Sequence, residues 1–230
     1  MNVHYVNGKG LINTMQLKYR STKRYGHNQG LSSTFRQWRA EGTHCKFLHG
    51  YSLAVEFEFG TNELDERNWC MHFGGLKEVK SYLTWLLDHT TVVAEDDPEI
   101  DTFFSLYEKN LIDLRILPDV GCEKFAEHIF FAALQLLDLN IINDRVKLIS
   151  VRVWEHDANS AIYVNPALEM DEGGRNWMAE LHNAVKSNSD NLADHPHNIL
   201  NPDIWATDIS CAIDPETALL VEFGKRVEFN

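Results

Sequence analysis

One run constrains this chain more than any other: Cys45-Lys46-Phe47-Leu48-His49-Gly50-Tyr51, leading straight into Ser52-Leu53-Ala54-Val55-Glu56-Phe57-Glu58-Phe59. The second part alternates apolar with small or polar residues, which predicts a half-buried strand. The first part places a thiol and an imidazole where that strand starts. Positions two apart on a strand share a face, so His49 and Tyr51 point the same way. A thiol, an imidazole and a phenol gathered at a strand end point to chemistry more than to packing.

The patterning elsewhere predicts an α+β fold. Residues 1–30 hold several Gly and Asn and little periodicity, and read as a loop-rich arm. Residues 31–40 and 47–59 read as an antiparallel pair joined by a turn at Glu41-Gly42-Thr43. Leu76, Val79, Leu83 and Leu86 recur at helical spacing and predict a helix over 76–87. Residues 91–98 read as an acidic turn, 99–109 as a second helix and 112–117 as a strand. Phe125, Ile129, Ala132 and Leu136 predict a third helix over 122–137, and 146–155 with 161–164 predict a closing hairpin. The order strand, strand, helix, helix, helix, strand, strand suits an antiparallel sheet covered on one face by helices.

Pro166 marks a compositional boundary: residues 166–230 carry 12 acids against 4 bases. This gives an expected core of 1–165 and an acidic C-terminal extension of 166–230 packed on it, with one helix at 175–186 and one strand at 219–223. Charge narrows the partners. A formal net charge of −13 argues against a nucleic-acid surface. The first 40 residues nevertheless hold Lys9, Lys18, Arg20, Lys23, Arg24, Arg36 and Arg39 with no acid. They read either as a solvated basic segment or as a rim that attracts a phosphorylated small molecule. No apolar run is long enough for a membrane span, and Met1-Asn2-Val3-His4-Tyr5 shows no leader pattern. Cys45, Cys70, Cys122 and Cys211 are too sparse for a disulfide scaffold. A cytoplasmic, reduced protein is the expectation.

Four further groups bear on chemistry. A lone Cys is most often an inert buried thiol. Cys45, however, sits beside His44 and four residues before His49, where an imidazole or metal favours thiolate. Asp88-His89 ends the first helix; a His there is either a capping cation or half of an Asp–His acid–base pair. Glu155 shares a face with Val151 and Val153 at a strand end and must find a partner, either an Arg or a ligand bearing paired N–H donors. Glu123 lies in a helix's first turn, where an acid is stabilising in any case.

Taken in order, these motifs resemble the 6-pyruvoyl-tetrahydropterin synthase and 6-carboxy-tetrahydropterin synthase family. Its members carry a Cys four residues before a His-Gly-His, as Cys45 stands before His49-Gly50-Tyr51. They carry an aromatic-Gly and Leu-Lys segment, then a helix ending in Leu-Asp-His. The counterpart here is Phe73-Gly74-Gly75-Leu76-Lys77, then Leu87-Asp88-His89, with His72 where the family has Asp. They carry a Val-x-Val-x-Glu strand, matched by Val151 to Glu155. Their Pro-Thr-x-Glu-Asn has become Val120-Gly121-Cys122-Glu123-Lys124. Of three zinc-binding His in the family, only His49 is kept: Phe35 and Tyr51 stand in the other two places.

The resemblance implies a T-fold, a four-stranded antiparallel sheet with helices on one face whose subunits join into an oligomeric barrel of trimers or hexamers. It implies a lyase acting on 7,8-dihydroneopterin triphosphate, the 6-carboxy branch of 7-deazaguanine biosynthesis being preferred over the 6-pyruvoyl branch. A metal-free pterin- or purine-binding protein is the alternative of another class, and an adaptor acting through the acidic extension is a third. Cys45, Asp88 and His89 would move protons, Glu155 and Glu123 would hold the pterin, and zinc would be held by His49 with His44 as the first replacement ligand. His27, His72, His195 and His197 are more remote replacements.

Overall fold

The computed structural model describes residues 17–139 and 145–168. The arm before residue 17, the helix at 175–186 and the strand at 219–223 lie outside the described residues.

The first sheet is antiparallel, in the order β1 (Tyr19–Tyr25), β4 (Ala54–Thr61), β7 (Lys147–His156), β8 (Asn159–Val164). Strand β4 shows how alternation builds it. Val55, Phe57 and Phe59 enter the core, while Glu56 and Glu58 lie on the other face. Glu58 there accepts from Arg20 at 2.9 Å and from Ser150 at 3.1 Å. A β-bulge opposite Glu58/Phe59 leaves Ile149 as the extra residue of β7. Its side chain fills the space over Gly60, where a Cβ would lie 2.5 Å from Ile149 Cδ1.

A second, mixed sheet runs β3 (His49–Ser52), β2 (Ser32–Phe35), β5 (Thr90–Ala94), β6 (Leu114–Leu117). Strands β2 and β3 are antiparallel, with Phe35 opposite His49, whereas β5 runs parallel to both β2 and β6. Helix α1 (Lys77–Leu87) packs on β5, and α3 (Cys122–Leu136) on β7, β8 and α1. The predicted core positions Leu76, Val79, Leu83, Leu86, Phe125, Ile129 and Ala132 are all buried. Helix α2 (Ile100–Glu108) lies outside against β5 and β6.

Three expectations are corrected. Strand β1 lies in the segment read as loop. It is an edge strand, and its Arg20, Lys23 and Arg24 are the charges that discourage further pairing. Residues 47–59 are two strands in different sheets. Leu53, fully buried and bonded through its N–H to the Leu31 carbonyl at 2.8 Å, carries the chain through the core between them. Residues 90–94 are strand β5, buried at every position, so they show no alternation to read. The acidic turn begins only at Glu95.

Helices α1 and α3 are tied by a buried polar contact, Tyr82 donating its hydroxyl to His128 Nε2 at 2.5 Å. Burial lowers the His128 pKa to about 4.

Candidate functional site

Beyond β2 the chain loops through residues 36–48 before returning as β3. Cys45 lies in a single 3-10 turn, His44–Lys46, and its backbone is held from two sides. Its N–H donates to the Thr43 hydroxyl at 3.2 Å, and its carbonyl accepts from the Gln37 N–H at 2.9 Å. The thiol is half-buried and His44 is exposed. His49 donates from Nδ1 to the Phe47 carbonyl at 2.7 Å, which leaves Nε2 without a proton. On the same face, the His49 and Tyr51 rings meet edge to face at 5.3 Å. Phe35, fully buried, lies 5.2 Å from His49, 6.1 Å from Tyr51 and 5.0 Å from Phe125.

Glu155 enters this corner from β7. A bulge between Trp154 and His156 turns it out of the ladder, and it is half-buried. Its charge bears on Cys122, in the first turn of α3. A helix N-terminus ordinarily favours thiolate. Here burial comes first, and the charges of Glu155 and Glu123 add to it, so the Cys122 pKa is raised and the thiol stays protonated. The Tyr51 pKa is raised too, first by burial and then by Glu155, Cys45 and Cys122. The Tyr51 ring itself lies 6.2 Å from that of His156, the neighbour of Glu155 on β7. Glu123 stands exposed at the rim. Cys122 was not among the predicted site residues. The signal was its place directly before Glu123 at a helix start.

Asp88 and His89 form the predicted pair: the ring Nδ1–H donates to Asp88 Oδ1 at 2.5 Å. Asp88 caps α1, its N–H bonded to the Thr84 carbonyl at 2.8 Å. His89 has φ 59, a left-handed backbone that a His adopts at a cost. Its N–H is bonded to the Ser32 carbonyl at 2.8 Å, and its side chain is 87 % exposed. Ser32 starts β2, whereas Gln37, which holds Cys45, lies just past its end. At about 3.3 Å per residue the pair and the thiol are separated by roughly 15 Å along the strand. One chain does not bring them together.

The basic N-terminal residues are largely engaged. Arg20 pairs with Glu58, Arg36 with Asp97, and Arg39 with Asp96 and Asp119. Lys18, Lys23 and Arg24 lie over aromatic rings, and Lys9 is outside the described residues.

Comparison with known proteins decides the family. Residues 25–166 match the sequence profile described as 6-pyruvoyl tetrahydropterin synthase. The chain belongs to this pterin synthase family. A 6-carboxy-5,6,7,8-tetrahydropterin synthase of Aquifex aeolicus is 27 % identical over 123 residues, covering 52 % of this chain and 75 % of that protein. Among solved structures, an uncharacterized protein of Wolinella succinogenes overlays with a TM-score of 0.54 at 20 % identity, over 64 % of this chain and 98 % of its own. A Plasmodium falciparum 6-pyruvoyl tetrahydropterin synthase overlays with a TM-score of 0.45 at 16 % identity, over 63 % and 96 %. The antiparallel sheet with its helices is the T-fold of the pterin synthases.

The resemblance to the pterin synthases implies zinc. A catalytic zinc takes three protein ligands. The two positions beside His49 hold the apolar ring of Phe35 and the phenol of Tyr51, whose raised pKa keeps it protonated. His44 is exposed. His27 donates from Nδ1 to the Ser52 carbonyl, and His72 stacks on Trp69 at 5.3 Å, in another part of the fold. Among the described residues no three His, Cys, Asp or Glu gather as a ligand set. They do not fit the zinc centre; His195 and His197 lie outside the described residues. Of the predicted residues only His72 lines the cavity of about 590 Å³ against β1, which is walled by Tyr19, Arg20, Trp69, Met71, His72 and Phe73. Among the described residues no helix is long and apolar enough to cross a membrane.

Proposed function

We propose that this chain is a pterin lyase acting on 7,8-dihydroneopterin triphosphate, with the 6-carboxy-tetrahydropterin reaction, as part of 7-deazaguanine synthesis, preferred. The observation that carries the reading is the corner where β3 meets the end of β7: Tyr51 lies 6.2 Å, ring to ring, from His156, the residue after Glu155, and its titration is raised by burial and then by Glu155 and Cys45. Glu155 would accept paired N–H donors from the guanidine-like edge of the ring, a charge-assisted contact. The substrate side chain would then extend toward Cys45, the group that moves a proton there, with Glu123 at the rim.

A second proton-moving group comes from Asp88–His89. The pair is preformed, but it stands at the other end of β2 and presents its ring to solvent. An oligomer in which His89 of one copy faces Cys45 of the next would complete the site. Among the described residues β8 has no neighbour on its outer side, which gives the chain a reason to assemble. The 6-carboxy branch is favoured over the 6-pyruvoyl branch by the name of the Aquifex relative.

The poor zinc fit favours one other reading, a pterin- or purine-binding protein without catalysis. Incubating the full-length protein with 7,8-dihydroneopterin triphosphate and separating products by chromatography tests the choice. Conversion to a carboxylated or pyruvoylated tetrahydropterin is expected. No conversion, with neopterin still bound, would leave the binding reading in its place.

A further inference from the structure

The cavity of about 590 Å³ against β1 takes no part in the function proposed above. It lies at the far end of the first sheet from Glu155. Tyr19, in its wall, stands opposite Thr61 at one end of β4, whereas Trp154 stands opposite Ala54 at the other. At about 3.3 Å per residue those two ends are roughly 23 Å apart. A volume of this size suits a small organic molecule.

The outer wall is held in place by the chain around it. Asp65 Oδ1 accepts the N–H groups of Arg67 at 2.9 Å and of Trp69 at 2.8 Å, and the Asp65 N–H donates to the Trp69 carbonyl at 3.0 Å. The Arg145 guanidinium donates to the Glu63 and Cys70 carbonyls at 2.7 and 3.1 Å. On this frame the Trp69 ring stacks on His72 at 5.3 Å and 16°. Gly74 leaves room for the stack, since a Cβ there would lie 2.8 Å from His72 Nε2. Trp69 is 43 % exposed and Phe73 36 %, both large rings left partly wet. At the floor, Ser21 stands opposite Phe59, whose ring lies 6.5 Å from that of Phe73. The Ser21 hydroxyl oxygen is buried and has no hydrogen-bond partner among the described residues. Leaving a desolvated hydroxyl unpaired is costly.

Charge narrows the ligand. In a chain of net charge −13, no carboxylate among the described residues lines this cavity. Its one permanent charge, Arg20, is already paired with Glu58 at 2.9 Å.

We propose that this cavity is a second binding site, for an uncharged planar heteroaromatic molecule of about nucleoside size. The ring packs among Tyr19, Trp69 and Phe73, where aromatic area carries the affinity. The polar edge bonds the Ser21 hydroxyl, which a change of χ1 rotamer turns from its unpaired place toward the cavity. The ligand is uncharged because the wall holds no unpaired permanent charge to meet it.

The test is titration calorimetry with three neutral probes, adenosine, inosine and thymidine, on full-length wild type, Ser21→Ala, Trp69→Ala and Glu155→Gln. None of the probes carries the guanidine-like edge that Glu155 would accept. At least one is expected to bind wild type and Glu155→Gln alike, and its 5′-monophosphate to bind more weakly. Trp69→Ala is expected to weaken that probe about tenfold or more, the size of one lost aromatic platform. Ser21→Ala is expected to weaken it about three- to tenfold while the melting temperature stays level or rises, because the hydroxyl removed is unpaired in the free protein. Failure of all three probes to bind wild type, or unchanged affinity in either cavity variant, would overturn the second site. Binding lost in Glu155→Gln and kept in Ser21→Ala would overturn it too, by placing the probe in the corner beside Glu155.

Discussion

The two ends of strand β2 are built in opposite ways. At its C-terminal end, Phe35 is fully buried against His49, Tyr51 and Phe125, and burial raises the titration of both Tyr51 and Cys122. At its N-terminal end, a half-buried Asp88 is joined to an exposed His89 held in a left-handed backbone. The first end is finished by contacts within the chain. The second is a preformed pair that stands apart from Cys45 among the described residues. Burial shifts the titration of groups at the first end, whereas the second owes its order to a cap on α1 and one bond to β2. The proposed ligand-binding corner and the proposed proton-handling pair thus stand at opposite ends of one strand.

The largest expected effect tests whether the ends meet between copies. Cys45→Ala and His89→Ala should each lower kcat by about 10²- to 10⁴-fold, the usual contribution of a positioned acid or base. Co-folding the two inactive variants should restore measurable turnover, because mixed assemblies contain sites with both groups intact. No recovery would break the picture of ends that complete one another.

The contact that joins the helices behind the two ends should respond to pH. His128 is lowered to about 4 by burial from an ordinary value of 6.5. The unfolded chain therefore binds the proton more readily, so stability falls as pH drops below about 6.5 and is unaffected above it. The loss should reach about 3 kcal/mol at pH 4, read by denaturant titration across that range. His128→Gln keeps an acceptor for Tyr82 and should flatten the profile; an unchanged slope would assign the acid sensitivity to other groups.

Next in size, Glu155→Gln should reduce neopterin affinity on the order of tenfold or more with little change in melting temperature. It keeps the shape and removes a charge-assisted contact worth about 1.5–3 kcal/mol. Unchanged affinity by calorimetry would leave Glu155 without a part in binding. The smallest effect is expected at the aromatic corner. Phe35→His places a second imidazole near His49 and should tighten zinc binding, at some cost in core stability. Equal zinc uptake by wild type and variant would show that the corner does not hold metal.

Much of this site was legible in the sequence because its motifs are local. The Cys45-to-His49 spacing, the adjacent Asp88 and His89, and the Val151-Val153-Glu155 face are each set within a few residues. Helices α1 and α3 were legible for the same reason, since periodicity is a local property. Strand β5 was not, because a strand covered on both sides carries no alternation. Strand β1 was not, because an edge strand wears the charges of a loop. The break at Leu53 was hidden because a residue crossing between sheets is as apolar as one inside either.

The sequence by itself determined the α+β class, the helices, the closing hairpin and the residue types available for chemistry, since each follows from short-range pattern and side-chain identity. Only the tertiary structure decided which of those residues share a volume. It set Tyr51 beside His156, stood Ser21 opposite Phe59, and put Asp88–His89 at the far end of β2 from Cys45. Those pairings join positions tens of residues apart. They depend on sheet order and on the space left by neighbouring side chains, which no local pattern encodes.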